Sequence, residues 1–250
     1  MLSARIKSAP SKSKWGGCMV KESAGGTVLI ACKMLQHELN KAIAENGCPY
    51  PIIWIDSEYH TDPNGLRAKL QEEIDRLEEV KTILLAYGCC GNGTVGLKAT
   101  TGDLIIPRTE DCISMLMSRQ GQTYLRPKAT FFMTKGWLEG THSMAREIEH
   151  AVKRYGPERA KKIFEQMFRH YKHLMLIDTK SYSIEECLAE VELLAQSLNL
   201  ELTFAEGDVW FLRKLLSGSF AQDFSITPRG ETVSQQDFAC CDQDLPRQPY

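Results

Sequence analysis

Nine cysteines among 250 residues are the side chains best equipped for chemistry in this sequence. A thiolate is a nucleophile and a soft metal ligand, suited to zinc or to an iron–sulfur cluster. An odd count in a chain of this length argues against a disulfide framework. Three positions share a context. Cys32 directly follows the apolar run Thr27–Ala31. Cys89 and Cys90 follow the run Thr82–Tyr87, after Gly88. Cys112 lies a few residues past Leu104–Ile106, after Pro107-Arg108-Thr109-Glu110-Asp111. The others lack that placement: Cys18 precedes the first apolar run, Cys48 sits in an Asn46-Gly47-Cys48-Pro49 turn, Cys187 falls on an apolar helix face, and Cys240-Cys241 lies in a polar tail.

For three thiols to meet, the segments ahead of them must be neighbouring strands that point the same way. The pattern supports this. Thr27–Ala31 and Pro51–Asp56 are short continuous apolar runs, as in strands buried on both faces, and helical spacing follows each. Asp62-Pro63 supplies a cap and a first-turn proline for a helix carrying Leu66, Leu70, Ile74 and Leu77. Thr82–Tyr87 and Leu104–Ile106 are the next strands, and Thr130–Met133 and Leu174–Asp178 follow. Two charged helices between Ser143 and Tyr171 break at Gly156-Pro157. Ser183 and Glu186 form a capping-box pattern ahead of a helix through Leu198. Leu202–Phe204 and Phe224–Ile226 close the series, with a helix from Val209 to Leu216 between them. Alternating strands and helices predict an α/β, Rossmann-like fold, a mostly parallel sheet with helices on both faces. One unit is the preferred organisation, and two lobes dividing near residue 125 is the alternative. In open parallel sheets ligands bind beyond the carboxyl ends of the strands, where Cys32, Cys90 and Cys112 are expected to converge.

Three convergent thiolates with a vacant fourth position describe an open metal site. The bland alternative is that each thiol fills a tight loop. Around Cys90, the glycines Gly91, Gly93 and Gly96 match the dinucleotide fingerprint as a string. That fingerprint needs a helix to begin there, and the strand at Leu104 leaves room for only about two turns, which argues against NAD or FAD. Gly91, Asn92 and Gly93 are therefore expected to bring backbone N–H groups close to a cluster or an anionic substrate, or simply to form a tight turn. Arg108 is expected to clamp a carboxylate or phosphate. Asp111 is a candidate general base or supporting partner, or else a helix cap. Glu58 and His60 can reach the same crevice, with a surface role the safer expectation for His60, and Trp137 and Glu139 can wall it, although a large aromatic is more often core. A metal-free alternative makes Cys90 a nucleophile activated by loop N–H groups and Arg108.

Composition bounds the rest. Hydrophobic residues at 43% and charged residues at 25% are ordinary for a protein with a packed core. A formal charge of −2 removes a global electrostatic case for nucleic acid. The basic run from Lys153 to Lys172 is interspersed with Glu158 and Glu165 and is expected to be a solvated helical face. No apolar run is long enough to cross a membrane. Without a secretory apolar core near the start, a cytoplasmic location with reduced thiols is expected. Residues 1–25 are expected to be a flexible extension, 26–232 the α/β domain, and 233–250 a flexible tail.

The segments Leu29–Lys33, Tyr87-Gly88-Cys89-Cys90-Gly91-Asn92-Gly93 and Ile106–Ile113 resemble the DUF1638 family, a domain of unknown function. So do Gly136–Glu139, Ile177–Thr179, Glu206–Asp208 and Asp223-Phe224, so that the resemblance spans about residues 26–232. It implies that Cys32, Cys90 and Cys112 are recurring thiols of one site, and that Cys89 is an extra one. Position 110, often His in relatives, is Glu here. The resemblance also implies an anaerobic setting and one-carbon chemistry beside corrinoid methyltransferases. On that basis the expected cofactor is a [4Fe–4S] cluster binding a small-molecule substrate at its free iron. A Zn2+ trithiolate for methyl transfer, or a metal-binding accessory partner of a methyltransferase, is the alternative.

Overall fold

Leu29, Ile30 and Ala31 carry no polar atoms beyond the backbone, and all three are fully buried, in strand β1 (Thr27–Cys32). The computed structural model describes residues 26–48, 50–119 and 124–238, apart from the side chains of His60 and Thr61. The expected N-terminal extension, Cys18, Cys240 and Cys241 lie outside those residues.

After β1 the chain forms helix α1 (Gln36–Asn46), strand β2 (Ile52–Ile55), helix α2 (Pro63–Asp75), and strands β3 (Thr82–Ala86) and β4 (Asp103–Pro107). The Asp62 side chain caps α2 by accepting the Asn64 amide at 3.0 Å, ahead of Pro63. Helix α3 (Cys112–Met117) leads away from this first region. Strand β5 (Thr130–Met133), helices α4 (Lys135–Glu139), α5 (Met144–Tyr155) and α6 (Pro157–Phe168), strand β6 (His173–Asp178), helix α7 (Glu185–Leu198) and strand β7 (Glu201–Glu206) follow. Helix α8 (Trp210–Ser217) and strand β8 (Phe224–Thr227) bring the chain back.

The strands divide between two sheets, which alternation alone does not reveal. The larger has the order β2-β1-β3-β4-β8, with its first four strands parallel and β8 antiparallel at the edge. The smaller is β5-β6-β7, parallel throughout. The chain is thus a mixed α/β protein with mostly parallel sheets and helices around them. Strand alternation joins the two lobes: Phe131, Met133, Leu174 and Leu176 face the second core, while Phe132 and Ile177 pack into the first. Gly136 completes the contact, since a Cβ there would lie 2.1 Å from the Met34 carbonyl oxygen.

Two local expectations are corrected. Ser183 and Glu186 make no capping box: Ile184 precedes α7 without a side-chain cap, the Ser183 hydroxyl bonds Glu185, and Glu186 pairs with Lys135. The long cation outcompetes a local cap. The packed fold also runs beyond residue 232. Val233 and Phe238 are each 1% exposed, and Val233 exchanges backbone hydrogen bonds with Gly96 and Leu97. Two apolar side chains in a polar stretch suffice to anchor it. The basic helices are solvated, with Lys153–Glu149 and Lys161–Glu165 paired along their surfaces.

Candidate functional site

In the larger sheet the strand order reverses between β1 and β3, which makes this the switch point where doubly wound sheets bind ligands. Cys32 ends β1, and Cys89-Cys90 follows β3. Cys112 follows β4, the next strand across, and opens α3. The condition set by the sequence is met, because β1, β3 and β4 are adjacent and parallel. Cys32 and Cys112 are buried, at 2% and 4% exposure, and Cys90 is half-buried.

The loop after β3 has an unusual backbone. Cys90, Gly91 and Asn92 have φ of 48°, 63° and 72°, three successive left-handed residues of which two are not glycine. Each such non-glycine residue costs about 1–2 kcal/mol, so its surroundings must hold it there. Arg67 donates to the Asn92 carbonyl at 2.6 Å and also to the Val95 carbonyl. The Thr94 hydroxyl donates to the Gly88 carbonyl at 2.9 Å, and the Cys89 thiol to the Asn92 side chain at 3.3 Å. Gly93 is a packing glycine, because a Cβ would come within 2.7 Å of Leu66 Cδ2.

A backbone zipper fixes this loop to the start of α3. The Cys89 amide donates to the Thr109 carbonyl (2.8 Å), and the Cys90 amide to the Glu110 carbonyl (2.7 Å). Gly88 permits the approach, since a Cβ would stand 2.6 Å from that Thr109 oxygen. Two residues later Asp111 caps α3 by accepting the Ser114 amide at 2.9 Å. Arg126 Nη2 donates to both Asp111 carboxylate oxygens, at 2.7 and 2.8 Å, and to the Ser114 hydroxyl at 3.1 Å. Its guanidinium also lies over the Phe132 ring, 5.3 Å from the centroid. Arg126 belongs to the segment entering the second lobe, so that lobe braces the residue that holds the start of α3.

The three thiols lie within one another's electrostatic reach. Burial pushes Cys32 up to about 12; Asp56 adds to the rise, against the pull of the Met34 and Leu35 amides and the Tyr87 hydroxyl. Burial first, then the charges of Asp111 and Cys32, raise both Cys90 and Cys112 well above the ordinary thiol value. Arg126 acts the other way on Cys112. Tyr87 is buried beside Cys32, although its hydroxyl makes no well-formed hydrogen bond. Among the described residues, no three His, Cys, Asp or Glu side chains stand as a ready-made metal cage.

The flanking candidates separate. Arg108 is exposed, and its guanidinium donates to the Phe224 carbonyl (3.2 Å), bracing edge strand β8. The cation beside the thiols is Arg126, not Arg108. Asp111 takes the capping role that was its alternative, and the pairing with Arg126 occupies both its oxygens. Gly91 and Asn92 shape the loop. Glu58 is exposed and Trp137 is half-buried between the two cores. Glu139 is hydrogen-bonded to His37 at 2.6 Å, and the side chain of His60 lies outside the described residues. Neither Arg126 nor Tyr87 is a candidate on sequence alone. Nothing local marks Arg126, whereas Tyr87 could be noticed as a large polar side chain directly after the buried strand β3.

Among the described residues, no helix is long and apolar enough to cross a membrane. A family model described as a protein of unknown function, DUF1638, matches residues 54–216, more than half of the chain. The matched span contains Cys90 and Cys112 and begins beyond Cys32. No curated protein and no solved structure matches.

Proposed function

The chain belongs to the DUF1638 family, whose description assigns no reaction, and we propose that Cys32, Cys90 and Cys112 hold a metal centre serving a small-molecule substrate at the switch point. The observation that carries this reading is the delivery of three thiols, by three adjacent parallel strands, into one another's electrostatic field. The donor set fits a soft metal or cluster, because thiolate sulfur favours zinc and iron–sulfur clusters over hard cations. The electrostatics agree. Two buried thiols and a half-buried one, opposed by desolvation and by neighbouring negative charge, stay protonated unless a strong positive charge joins them. The same burial works against Cys90 as a metal-free nucleophile, which needs a lowered pKa.

We assign a [4Fe–4S] cluster bound through these three sulfurs. When bound, it supplies a Lewis-acidic iron with a position open to substrate. The surrounding residues supply placement. The zipper between residues 89–90 and 109–110 sets Cys90 against Cys112. Asp111 and Arg126 hold the first turn of α3 and hence Cys112. The Tyr87 hydroxyl stands beside Cys32 as a potential donor to its sulfur. The half-buried Cys90 loop is where the site meets solvent, so substrate approaches from that side.

The test is anaerobic purification with iron, sulfide and zinc analysis and electron paramagnetic resonance after reduction. Wild-type protein is expected to carry about four irons per chain, and Cys32→Ser, Cys90→Ser and Cys112→Ser each to lose them. Cys48→Ser and Cys187→Ser are expected to keep them. One zinc per chain, lost in the same three variants, would replace the cluster by a zinc trithiolate. A protein that takes up neither metal on reconstitution, or whose metal survives all three substitutions, refutes the site.

A further inference from the structure

Next to Cys32, on the side away from the other two thiols' strands, a cleft of about 210 Å³ opens beyond the carboxyl ends of β1 and β2. One wall comes from the turn after β1 and the start of α1, with Lys33 and His37. A second comes from the end of β2, with Asp56 and Ser57. The third belongs to the other lobe, with Glu139 and Thr141. We infer that this cleft binds a small zwitterion of the amino-acid class, its ammonium met by Asp56 and Glu139 and its carboxylate by Lys33 and His37.

The cleft is lined by one ion pair and one histidine–carboxylate hydrogen bond. Lys33 Nζ lies 3.1 Å from Asp56 Oδ2, and His37 Nε2 lies 2.6 Å from Glu139 Oε2. Asp56 is held in place from three further directions: Oδ1 accepts the Ser57 amide at 2.7 Å, the Ser57 hydroxyl at 3.2 Å and the Thr141 hydroxyl at 3.2 Å. A ligand bearing one charge can engage Lys33 or Asp56 only by separating that pair and leaving its partner facing no counter-charge, whereas Glu139 also faces Lys135 at 3.8 Å. A zwitterion exchanges partner for partner across the Lys33–Asp56 pair, and both of those charges stay matched. Specificity thus comes from the penalty on the wrong ligand as much as from attraction to the right one. The pairs are open enough to exchange, with side-chain exposures of 52% and 38% for Lys33 and Asp56.

The backbone keeps the space clear. Gly140 lines the cleft, and a Cβ there would already stand 3.3 Å from Met34 Sδ and 3.4 Å from Ser57 Oγ, so a larger side chain would fill the opening. The His37–Glu139 and Asp56–Thr141 contacts both cross between the lobes, and a ligand spanning them touches both. This site is separate from the three-thiol centre and stands whether or not that centre carries metal.

The test is isothermal titration of the purified protein with the standard L-amino acids. Acetate and methylamine at matched ionic strength serve as single-charge controls. At least one amino acid is expected to bind saturably, one per chain, and the controls not to. Asp56→Asn and Glu139→Gln are each expected to weaken it by about tenfold or more. Gly140→Val is expected to abolish binding while its circular dichroism matches wild type. Should Asp56→Asn fail to fold, the solvent-facing Glu139→Gln still decides. The inference is overturned if no amino acid saturates, if acetate or methylamine binds equally well, or if Glu139→Gln binds within about twofold of wild type.

Discussion

Replacing Arg126 with Met is expected to cost about 3 kcal/mol of folding stability. The figure follows from the pair it breaks. The Arg126 side chain is 12% exposed and that of Asp111 17%, and the guanidinium spans both carboxylate oxygens. Removing one partner of a buried pair costs about 3–5 kcal/mol, because the other charge is left without compensation. The lower end applies, since Asp111 keeps the Ser114 amide and some contact with water. Methionine preserves much of the apolar stem, so the loss over Phe132 is confined to a cation–π term of about 0.5–1 kcal/mol. In a chain of this length each kcal/mol moves Tm by about 2–4 °C, which gives a fall of about 6–12 °C. Asp111→Asn keeps a capping side chain, as asparagine is a good N-cap. The double variant should therefore recover about 1.5 kcal/mol relative to the sum of the two single losses. Thermal and urea unfolding of metal-free protein, followed by circular dichroism, reads all four corners of the cycle. A Tm drop under about 2 °C, or strict additivity in the double variant, refutes the assignment of Arg126 as the brace of α3.

Cys90→Gly should be more stable than Cys90→Ala by about 1 kcal/mol, because only glycine occupies the left-handed φ of 48° without strain. Equal midpoints in urea would show that the loop relaxes. Gly136→Ala should destabilise by several kcal/mol, since its methyl would sit 2.1 Å from the Met34 carbonyl oxygen and must push the lobes apart. Protection from hydrogen exchange should fall on both sides of that contact, and unchanged protection would contradict the packing. Glu38 is fully buried, with one oxygen accepting the Thr179 hydroxyl at 3.1 Å and the other without a partner. Burial raises its carboxyl above the ordinary 4.5, despite that hydrogen bond. The folded state then keeps a proton that the unfolded chain releases, so the wild type loses stability as pH rises from about 4.5 towards the folded value. Glu38→Gln removes this slope, so its Tm advantage should widen with pH across that window; a constant difference from about pH 4 to 8 would count against it.

The strands of the larger sheet were legible because each is a short apolar run of β-prone residues bounded by turns. Placing the thiols needed only the rule that parallel sheets gather ligands at their carboxyl edge. The division into two sheets was legible only as the alternative of two lobes dividing near residue 125. Crossovers within one sheet and between two look alike in sequence, and nothing in the composition marks the passage from Met117 to Thr130. Arg108 lies near Cys112 along the chain, yet its side chain reaches β8 instead. Arg126 lies farther along and arrives only when the second lobe packs. The Ser183–Glu186 pattern failed for a related reason, as Lys135 drew Glu186 away from a purely local bond.

The link between β3 and β4, residues 87–102, runs in turns where a parallel crossover ordinarily has a helix. Part of the missing cover comes from the far end of the chain: Gly96 and Ala99 donate to the carbonyls of Val233 and Glu231, and Lys98 bridges Thr232. A ribosome therefore completes the Cys90 loop late. The smaller lobe, contiguous from β5 to β7, emerges whole while the larger still waits for β8 and residues 231–238. During synthesis the three thiols stand in an unfinished half-sheet, and the covering of the loop after Cys90 waits on residues 231–233. Release of a chain cut before residue 231 would leave that loop uncapped while β1 to β4 remain able to pair.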